Sequence, residues 1–223
     1  MNHSAIAAKK KILVVEDHPL FRAMLVQLIE QDLGMSVCGH TNNLIDALIL
    51  LENTQPDAAI VDLTLSGPGG LELIKEMKAR CCLLPVLVLS MHGEELYAER
   101  ALRAGAKGYI SKEQSPKEVA TAIRTVVDGG IYVSKEINNV ILRRQAKGFQ
   151  PLPEKEMDSL SDRELEVFEL IGAGLTSREI SERLKLVATT VDSYRARIKQ
   201  KLSLKNAAEL YQRAALWLVE RKA

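Results

Sequence analysis

Two kinds of hydrophobic pattern alternate along the first 130 residues of the chain. Short apolar runs rich in β-branched residues are followed by longer stretches in which apolar residues recur every three or four positions. The first pattern is typical of buried strands and the second of amphipathic helices. Strands are expected at residues 11–15, 36–39, 58–62, 86–89 and 108–111. Strands that alternate with helices in this way predict an α/β domain with a doubly wound, five-stranded parallel sheet.

Helix-start signals separate these strands. Pro19 is suited to a first helical position, and Asn42 or Asn43 is suited to capping the second helix. Residues 94–104 read as the fourth helix, and Ser115 with Glu118 forms a capping-box pattern for the fifth. A glycine-rich loop is expected at residues 66–70.

The pattern changes from Leu160 onward, where no further strand signal occurs. Capping patterns begin at Ser161, Thr176 and Asn206, and a further helix is expected over residues 188–202. These signals predict an all-α, four-helix domain that contains a helix-turn-helix. The expected organisation is a flexible tail (1–10), the α/β domain (11–130), a helix and linker (131–157, with a helix over 134–144) and the helical domain (158–223).

The composition of the chain disfavours several classes of protein. The chain has 223 residues, of which 47% are hydrophobic and 26% charged, as in ordinary globular proteins. Its three cysteines lack framework or zinc-site spacing, so a disulfide scaffold and a zinc site are disfavoured. We find no signal-peptide pattern and no apolar run near the ~20 residues of a membrane span, so a cytoplasmic location is expected.

Polar residues follow four of the predicted strands. Glu16 and Asp17 follow the first, Asp62 ends the third, Ser90 follows the fourth and Lys112 follows the fifth. The carboxyl ends of parallel strands form one edge, where open α/β sheets place their ligand sites. Three carboxylates, a hydroxyl and an ammonium group suit a site for a divalent metal and a phosphoryl group.

These residues, together with Tyr109 and in this order, resemble the receiver domain of two-component response regulators, which has a flavodoxin-like fold. The resemblance implies that Asp62 accepts a phosphoryl group from a histidine kinase or a small phosphodonor. It implies that Lys112 and Ser90 contact that group, and that Ser90 and Tyr109 shift together as a switch. It also implies a Mg²⁺ ion held by Asp17, Asp62 and the backbone carbonyl of Thr64, with Glu16 acting through water.

Two positions near this predicted site need comment. Proline often follows the lysine in receiver domains, whereas Glu113 follows Lys112 here. His92, two residues after Ser90, either tunes hydrolysis of the acyl phosphate or is an exposed loop residue.

A second resemblance covers residues 160–218, which look like the LuxR-type helix-turn-helix of the NarL/FixJ class. The matching text is Leu160-Ser-Asp-Arg-Glu-Leu-Glu-Val, Gly174-Leu-Thr-Ser-Arg-Glu-Ile and Thr190-Val-Asp-Ser-Tyr-Arg-Ala-Arg-Ile. Although the whole chain has a net charge of only +1, residues 188–205 carry five Lys or Arg and one acid. Clustered positive charge on a helix is typical of contact with double-stranded DNA.

Helical spacing assigns faces to the third helix of this domain. Val191, Tyr194, Ile198 and Leu202 are expected to pack inward. The opposite face carries Thr189, Ser193, Ala196 and Gln200, flanked by Asp192, Arg195, Arg197 and Lys199. The resemblance implies base contacts by Asp192, Ser193 and Ala196 and phosphate contacts by Thr176, Thr190, Arg195 and Lys199. Val187 stands where a polar cap is expected, so either the helix over 188–202 starts without this cap or Thr189 caps a helix that starts later.

The leading hypothesis is a transcription regulator that is switched by phosphorylation of Asp62. The regulator is expected to be a homodimer when active. The apolar residues of the last helix either close the small core or pair with a second copy. One alternative is a DNA-binding regulator whose receiver dimerises independently of phosphate. A phosphatase is disfavoured because Thr64 stands where its second aspartate is expected. We do not expect an enzyme, although a receiver catalyses its own phosphorylation.

Overall fold

The computed structural model describes residues 9–65, 69–80, 83–91, 94–135, 137–139, 157, 159–184 and 186–222. The chain divides into two compact units, one within Met1–Ala146 and the other within Lys147–Ala223. We call them the sheet unit and the helical unit. Most of the predicted tail and linker, residues 66–68 of the predicted loop, His92 and most of the helix predicted at 134–144 lie outside the described residues.

Five parallel strands form the sheet, as the hydrophobic runs predict. They are β1 (Lys11–Val15), β2 (Ser36–Thr41), β3 (Ala58–Asp62), β4 (Val86–Ser90) and β5 (Gly108–Ser111). Their order across the sheet is β2-β1-β3-β4-β5, so the chain starts near the middle and winds to both edges. The predicted doubly wound topology is confirmed, and β2 extends two residues beyond its predicted end.

Helices connect the strands and cover the sheet. They are α1 (Pro19–Gln27), α2 (Leu44–Thr54), α3 (Gly70–Arg80), α4 (Glu94–Ala104) and α5 (Pro116–Val127). Pro19 occupies the start of α1, and the Asn43 side chain caps α2 by accepting from the Asp46 N–H. The Ser115–Glu118 capping box is present at α5. After α1 the chain continues as a π-helical turn, Leu28–Asp32, which the sequence pattern does not predict.

The middle of the sheet is its most deeply buried part. Every residue of β3 and β4 is buried, because these strands have neighbours on both sides and covered faces. Ile12, Ile60 and Leu89 of the sheet pack in one core cluster with Leu25 of α1 and Ile123 of α5. The residue at the end of β3, Asp62, is therefore held on a strand that is buried along its whole length.

The helical unit contains α6 (Asp162–Gly172), α7 (Ser177–Leu184), α8 (Ala188–Lys201) and α9 (Ala207–Lys222). Ser161 and Glu164 form the predicted capping box of α6, and Thr176 and Glu179 bond reciprocally before α7. Asn206 accepts from the Glu209 N–H at the start of α9. In the core, the rings of Phe168 and Trp217 lie 5.6 Å apart.

The predicted start of α8 at residue 188 agrees with the structure, and the alternative of a later start capped by Thr189 is wrong. The helix starts at Ala188, with Val187 in extended conformation before it and no side-chain cap, so Thr189 lies inside the helix. Burial of Val191 and Ile198 against the other helices fixes the helix in place without the capping bond. Among the described residues, no helix has the length and apolar character needed to cross a membrane.

Candidate functional site

Three carboxylates meet at the carboxyl edge of the sheet. β1 and β3 are paired, with Val15 opposite Val61, so the residues that follow them become neighbours. One oxygen of each of Glu16, Asp17 and Asp62 lies within 4.8 Å of the others. Glu16 is 1% exposed and Asp62 is 2% exposed, whereas Asp17 is half-buried. Such a group of hard oxygen donors has the chemistry of a divalent-cation site.

Lys112 supplies the positive charge at this cluster. It directly follows β5, and its side chain is 7% exposed. Its Nζ lies 2.8 Å from Asp62 Oδ2 and 2.7 Å and 2.9 Å from the two carboxylate oxygens of Glu16. One ammonium group therefore bridges two buried carboxylates, which leaves the cluster with more negative than positive charge.

The cluster perturbs the ionisation of Glu16. Burial raises the pKa of Glu16 above its ordinary value, and the nearby charge of Asp62 raises it further. Lys112 and the His18 N–H act in the opposite direction without cancelling the effect. The carboxylates therefore repel one another, and a cation at the cluster is favourable on electrostatic grounds.

Backbone groups fix the two buried carboxylates. The His18 N–H donates to Glu16 Oε1 at 3.0 Å, and the Thr64 N–H donates to Asp62 Oδ1 at 3.0 Å. Gly70 begins α3 directly against the end of β3, since a Cβ there would lie 2.1 Å from the Asp62 carbonyl oxygen. Only glycine permits this close approach, which holds the end of the strand in place.

Ser90 and Tyr109 lie on the strands beyond β3. Ser90 is the last residue of β4, one position after the Asp62–Leu89 pair, and is 0% exposed. Tyr109 is the second residue of β5 and is also buried. The structure therefore places Ser90 at the same edge as Asp62, with Tyr109 inside the sheet unit. Their roles as switch residues stay a prediction.

Two residues of α1 contact the site and were missed by sequence reasoning. The Phe21 ring lies 4.9 Å from Lys112 Nζ, in a cation–π contact, and Arg22 donates to the Glu16 carbonyl oxygen at 2.6 Å. The helix start at Pro19 was the available signal, because it sets the first turn of α1 beside the end of β1. Nothing in residue type alone separates these two from other residues of the helix.

In the helical unit, α8 has the predicted division into two faces. Val191, Ile198 and Leu202 are buried and Tyr194 is half-buried. The exposed positions are Thr189, Asp192, Ser193, Ala196, Arg197 and Gln200, and Thr176 before α7 is exposed as well. Thr190, Arg195 and Lys199 are half-buried. The exposed residues of α8 recur at three- and four-residue spacing, so they share one face of the helix.

Arg195 has partners inside the helical unit that sequence reasoning missed. Its guanidinium donates to Ser177 Oγ at 2.9 Å and to the Tyr211 hydroxyl at 2.8 Å, and it stacks 4.8 Å from the Tyr211 ring centre. Ser177 in turn donates to Asp192 Oδ1 at 3.0 Å. These contacts connect α7, α8 and α9.

Family comparisons agree with both units. Residues 12–124 match the response regulator receiver domain, and residues 158–214 match the luxR family of bacterial regulatory proteins. The chain therefore belongs to the response regulators that combine a receiver domain with a LuxR-type helix-turn-helix domain. The resemblance predicted for each part of the sequence is confirmed.

Curated relatives extend over most of the chain. Response regulator UvrY of Escherichia coli (strain K12) is 34% identical over 202 residues, covering 89% of this chain and 90% of the relative. Response regulator GacA of Pseudomonas aeruginosa is 33% identical over 201 residues, covering 90% and 92%. This agreement across both units places the chain among two-component regulators of transcription.

Solved structures support the same architecture. A LuxR-family two-component response regulator from Aurantimonas sp. SI85-9A1 is 32% identical, with a TM-score of 0.58, and covers 62% of this chain and 99% of that chain. RcsB of Salmonella typhimurium, at 21% identity and a TM-score of 0.56, covers 94% of this chain and 99% of its own and supports the fold alone.

Proposed function

We propose that phosphorylation of Asp62 controls DNA binding by the helical unit. The observation that carries the proposal is the bridge from Lys112 to Glu16 and Asp62 at the edge of the sheet where Asp17 also lies. A phosphoryl group on Asp62 adds negative charge at a place where the protein already provides one cation and a second is favourable.

The carboxylate cluster fits Mg²⁺ by the chemistry of its donors, which are hard oxygen atoms in a group with excess negative charge. Asp17, Asp62 and the Thr64 carbonyl would hold the ion, with Glu16 acting through water. When bound, the ion would neutralise charge on the carboxylates and on the incoming phosphoryl oxygens.

The chain's own groups then have separate tasks. An Asp62 carboxylate oxygen attacks phosphorus, while the donor's leaving group departs with its electron pair. Lys112 pairs with the phosphoryl oxygens, and the Ser90 hydroxyl donates a hydrogen bond to them. Ser90 and Tyr109 then shift together and alter the face formed by α4 and β5. Because Thr64 cannot act as the general acid of a phosphatase, we class this chemistry as a switch rather than enzymatic turnover.

Double-stranded DNA is the proposed partner of the exposed face of α8. Side chains near the start of a recognition helix reach base edges, while basic residues neutralise phosphates. We assign base contacts to Asp192, Ser193 and Ala196 and phosphate contacts to Thr176, Thr190 and Lys199, with Thr189 at the start of the same surface. Arg195, also expected to contact phosphate, bonds to Ser177 and Tyr211, so we assign the exposed Arg197 to phosphate in its place. The phosphodonor is a histidine kinase or a small molecule, the active form is a homodimer, and the proposed location is the cytoplasm.

Intact-protein mass spectrometry tests the acceptor. With acetyl phosphate and Mg²⁺, the wild-type chain is expected to gain the mass of one phosphoryl group, and Asp62→Asn is expected to gain none. The matched control is Asp57→Asn, because Asp57 precedes the other end of β3 and bonds to Lys10 and Lys11 instead. Phosphorylation of Asp62→Asn to the wild-type level would reject Asp62 as the acceptor.

A further inference from the structure

Four side chains of the helical unit form one hydrogen-bonded chain. The Tyr211 hydroxyl on α9 accepts from Arg195 on α8, Arg195 also donates to Ser177 on α7, and Ser177 donates to Asp192 on α8. Three helices therefore hold the carboxylate of one exposed residue of the recognition helix. Among the described residues, Asp192 accepts a hydrogen bond only at Oδ1.

We propose that Asp192 determines sequence specificity by accepting a hydrogen bond from the N4 amino group of a cytosine in the major groove. We further propose that Ser177, Arg195 and Tyr211 are positioning residues for that carboxylate. Both statements rest on the proposed DNA binding by α8. They add the base that this helix selects and the reason why its carboxylate is fixed.

The charge of Asp192 favours cytosine as the base that it contacts. Asp192 is the one acid among the 18 residues from 188 to 205, and it is exposed on the basic helix proposed to meet phosphates. DNA phosphates repel a carboxylate at the interface, and a hydrogen-bond donor on a base edge offsets that repulsion. The major groove offers amino groups on cytosine and adenine, but adenine places the acceptor N7 beside its amino group. Cytosine is therefore the base edge that an aspartate accepts from.

Arg195 holds the hydrogen-bonded chain that orients Asp192. Its guanidinium makes two hydrogen bonds and one ring contact within the helical unit, so it is directed at protein groups. Ser177 accepts from Arg195 and donates to Asp192, which orients the carboxylate without neutralising it through direct contact. A fixed acceptor loses less conformational entropy on binding than a freely rotating one, so it discriminates better between bases.

The experiment is selection of DNA fragments from a random pool by the full chain at one fixed salt concentration, with Mg²⁺ and the acyl-phosphate mimic beryllofluoride present. Wild type is expected to prefer cytosine at one position. In Asp192→Ala, the ratio of cytosine to other bases at that position is expected to be about tenfold lower. Asp192→Asn is expected to move the preference to adenine, since an asparagine amide pairs with adenine N6 and N7. Ser177→Ala and Tyr211→Phe are expected to weaken the cytosine preference about threefold.

Two further readouts separate positioning from a general loss of structure. Affinity for non-specific DNA and thermal unfolding followed by Trp217 fluorescence are expected to stay unchanged in Tyr211→Phe, as in the control Gln212→Ala, which alters an exposed neighbour on α9. An Asp192→Asn profile identical to wild type would overturn the cytosine contact. Unchanged profiles of Ser177→Ala and Tyr211→Phe would overturn the positioning role. If wild type binds DNA but selects no sequence, the inference on Asp192 fails while the proposed DNA binding stands; if wild type binds no DNA at all, the proposed DNA binding fails as well.

Discussion

The two units of this response regulator use charge in opposite ways. In the sheet unit, Glu16, Asp62 and Lys112 lie at a strand edge with side chains 1%, 2% and 7% exposed. In the helical unit, the charges proposed to meet DNA lie on α8, where Asp192 and Arg197 are exposed and Lys199 is half-buried. Buried charges need specific partners, whereas exposed charges are solvated and screened.

This difference predicts which substitutions lower stability and which weaken binding. Loss of one member of the buried group leaves the others unpaired in an apolar surrounding, which costs stability as well as function. Loss of an exposed lysine costs little stability and acts mainly on the encounter with a charged partner. Sensitivity of stability and sensitivity of binding should therefore separate between the buried cluster at Asp62 and the exposed face of α8.

The largest effect is expected from Lys112→Met without divalent ions. Glu16 and Asp62 would then face each other without their bridging cation, and we expect the sheet unit to lose about 3 kcal/mol of unfolding free energy. Hydrogen exchange of the buried β3 amides measures this loss in the sheet unit. The control Lys107→Met removes an exposed lysine and should change exchange little.

A double substitution sharpens this prediction. Asp62→Asn combined with Lys112→Met removes one of the two negative charges that repel each other. The double variant should therefore recover part of the stability lost in Lys112→Met alone. Equal exchange rates in wild type and Lys112→Met would contradict the buried-charge account.

The next effect concerns a buried carboxylate in the helical unit. Burial opposes ionisation of Glu164, but hydrogen bonds from Lys201 and Ser161 outweigh it and hold the pKa of Glu164 below its ordinary value. A lowered folded-state pKa stabilises the protein above the ordinary glutamate pKa, and this contribution is lost as the pH falls through the folded-state value. Glu164→Gln should cost about 2 kcal/mol at neutral pH and much less in acid.

Trp217 fluorescence measures this effect, since the chain has one tryptophan and it packs in the helical core. Glutamine keeps a side chain able to cap at this position, so the substitution isolates the charge. The control is Glu182→Gln, because the Arg178–Glu182 pair is exposed and its loss should produce no comparable pH dependence. A stability difference for Glu164→Gln that is the same at every pH would be inconsistent with the lowered pKa.

A smaller effect is expected from Lys199→Ala on DNA binding. Loss of one phosphate contact should weaken binding to all sequences by about tenfold at low salt and reduce the slope of log K against log salt by about 0.9. Titrations at several salt concentrations measure both quantities, and the control is Lys117→Ala, which removes an exposed lysine of α5 in the sheet unit. An unchanged slope would show that Lys199 does not contact phosphate.

The smallest expected effect is a gain from Val187→Ser. Val187 occupies the cap position of α8 in extended conformation, and its side chain is 66% exposed and apolar. A serine hydroxyl there can accept from an N–H of the first turn, so we expect about 0.5–1 kcal/mol of added stability in the Trp217 unfolding transition. The control Val187→Ala should give no such gain. Destabilisation by serine would mean that the start of α8 is incorrectly assigned.

Sequence reasoning predicted the sheet and helices because local pattern and tertiary packing agree in this chain. The runs that end at Val15 and Asp62 can be buried only as central strands, and the Ser115 and Ser161 boxes mark helix starts by chemistry that acts within four residues. The π-helical turn after α1 was missed because its apolar spacing still looks helical. At Val187, packing of α8 decided the helix start although the local cap was absent.

The candidate site residues likewise fall into those that local pattern predicts and those that depend on tertiary packing. Parallel strand topology alone predicts that Glu16, Asp17 and Asp62 meet, because each lies at or just after a strand end. Contacts between side chains of different helices cannot be read in this way, since they depend on how the helices pack. The bonds of Arg195 to Ser177 and Tyr211, 18 and 16 residues away, and the contact of Phe21 with Lys112 required the structure.

The most direct test of the account is the DNA affinity of the full chain with and without Mg²⁺ and beryllofluoride, which mimics an acyl phosphate. Wild type and Asp62→Asn are compared at one salt concentration on a fragment selected from genomic DNA. The account predicts that Mg²⁺ with beryllofluoride changes the affinity of wild type and leaves that of Asp62→Asn unchanged. Equal affinity in all four conditions would contradict control by phosphorylation and indicate a regulator that binds DNA independently of its receiver chemistry.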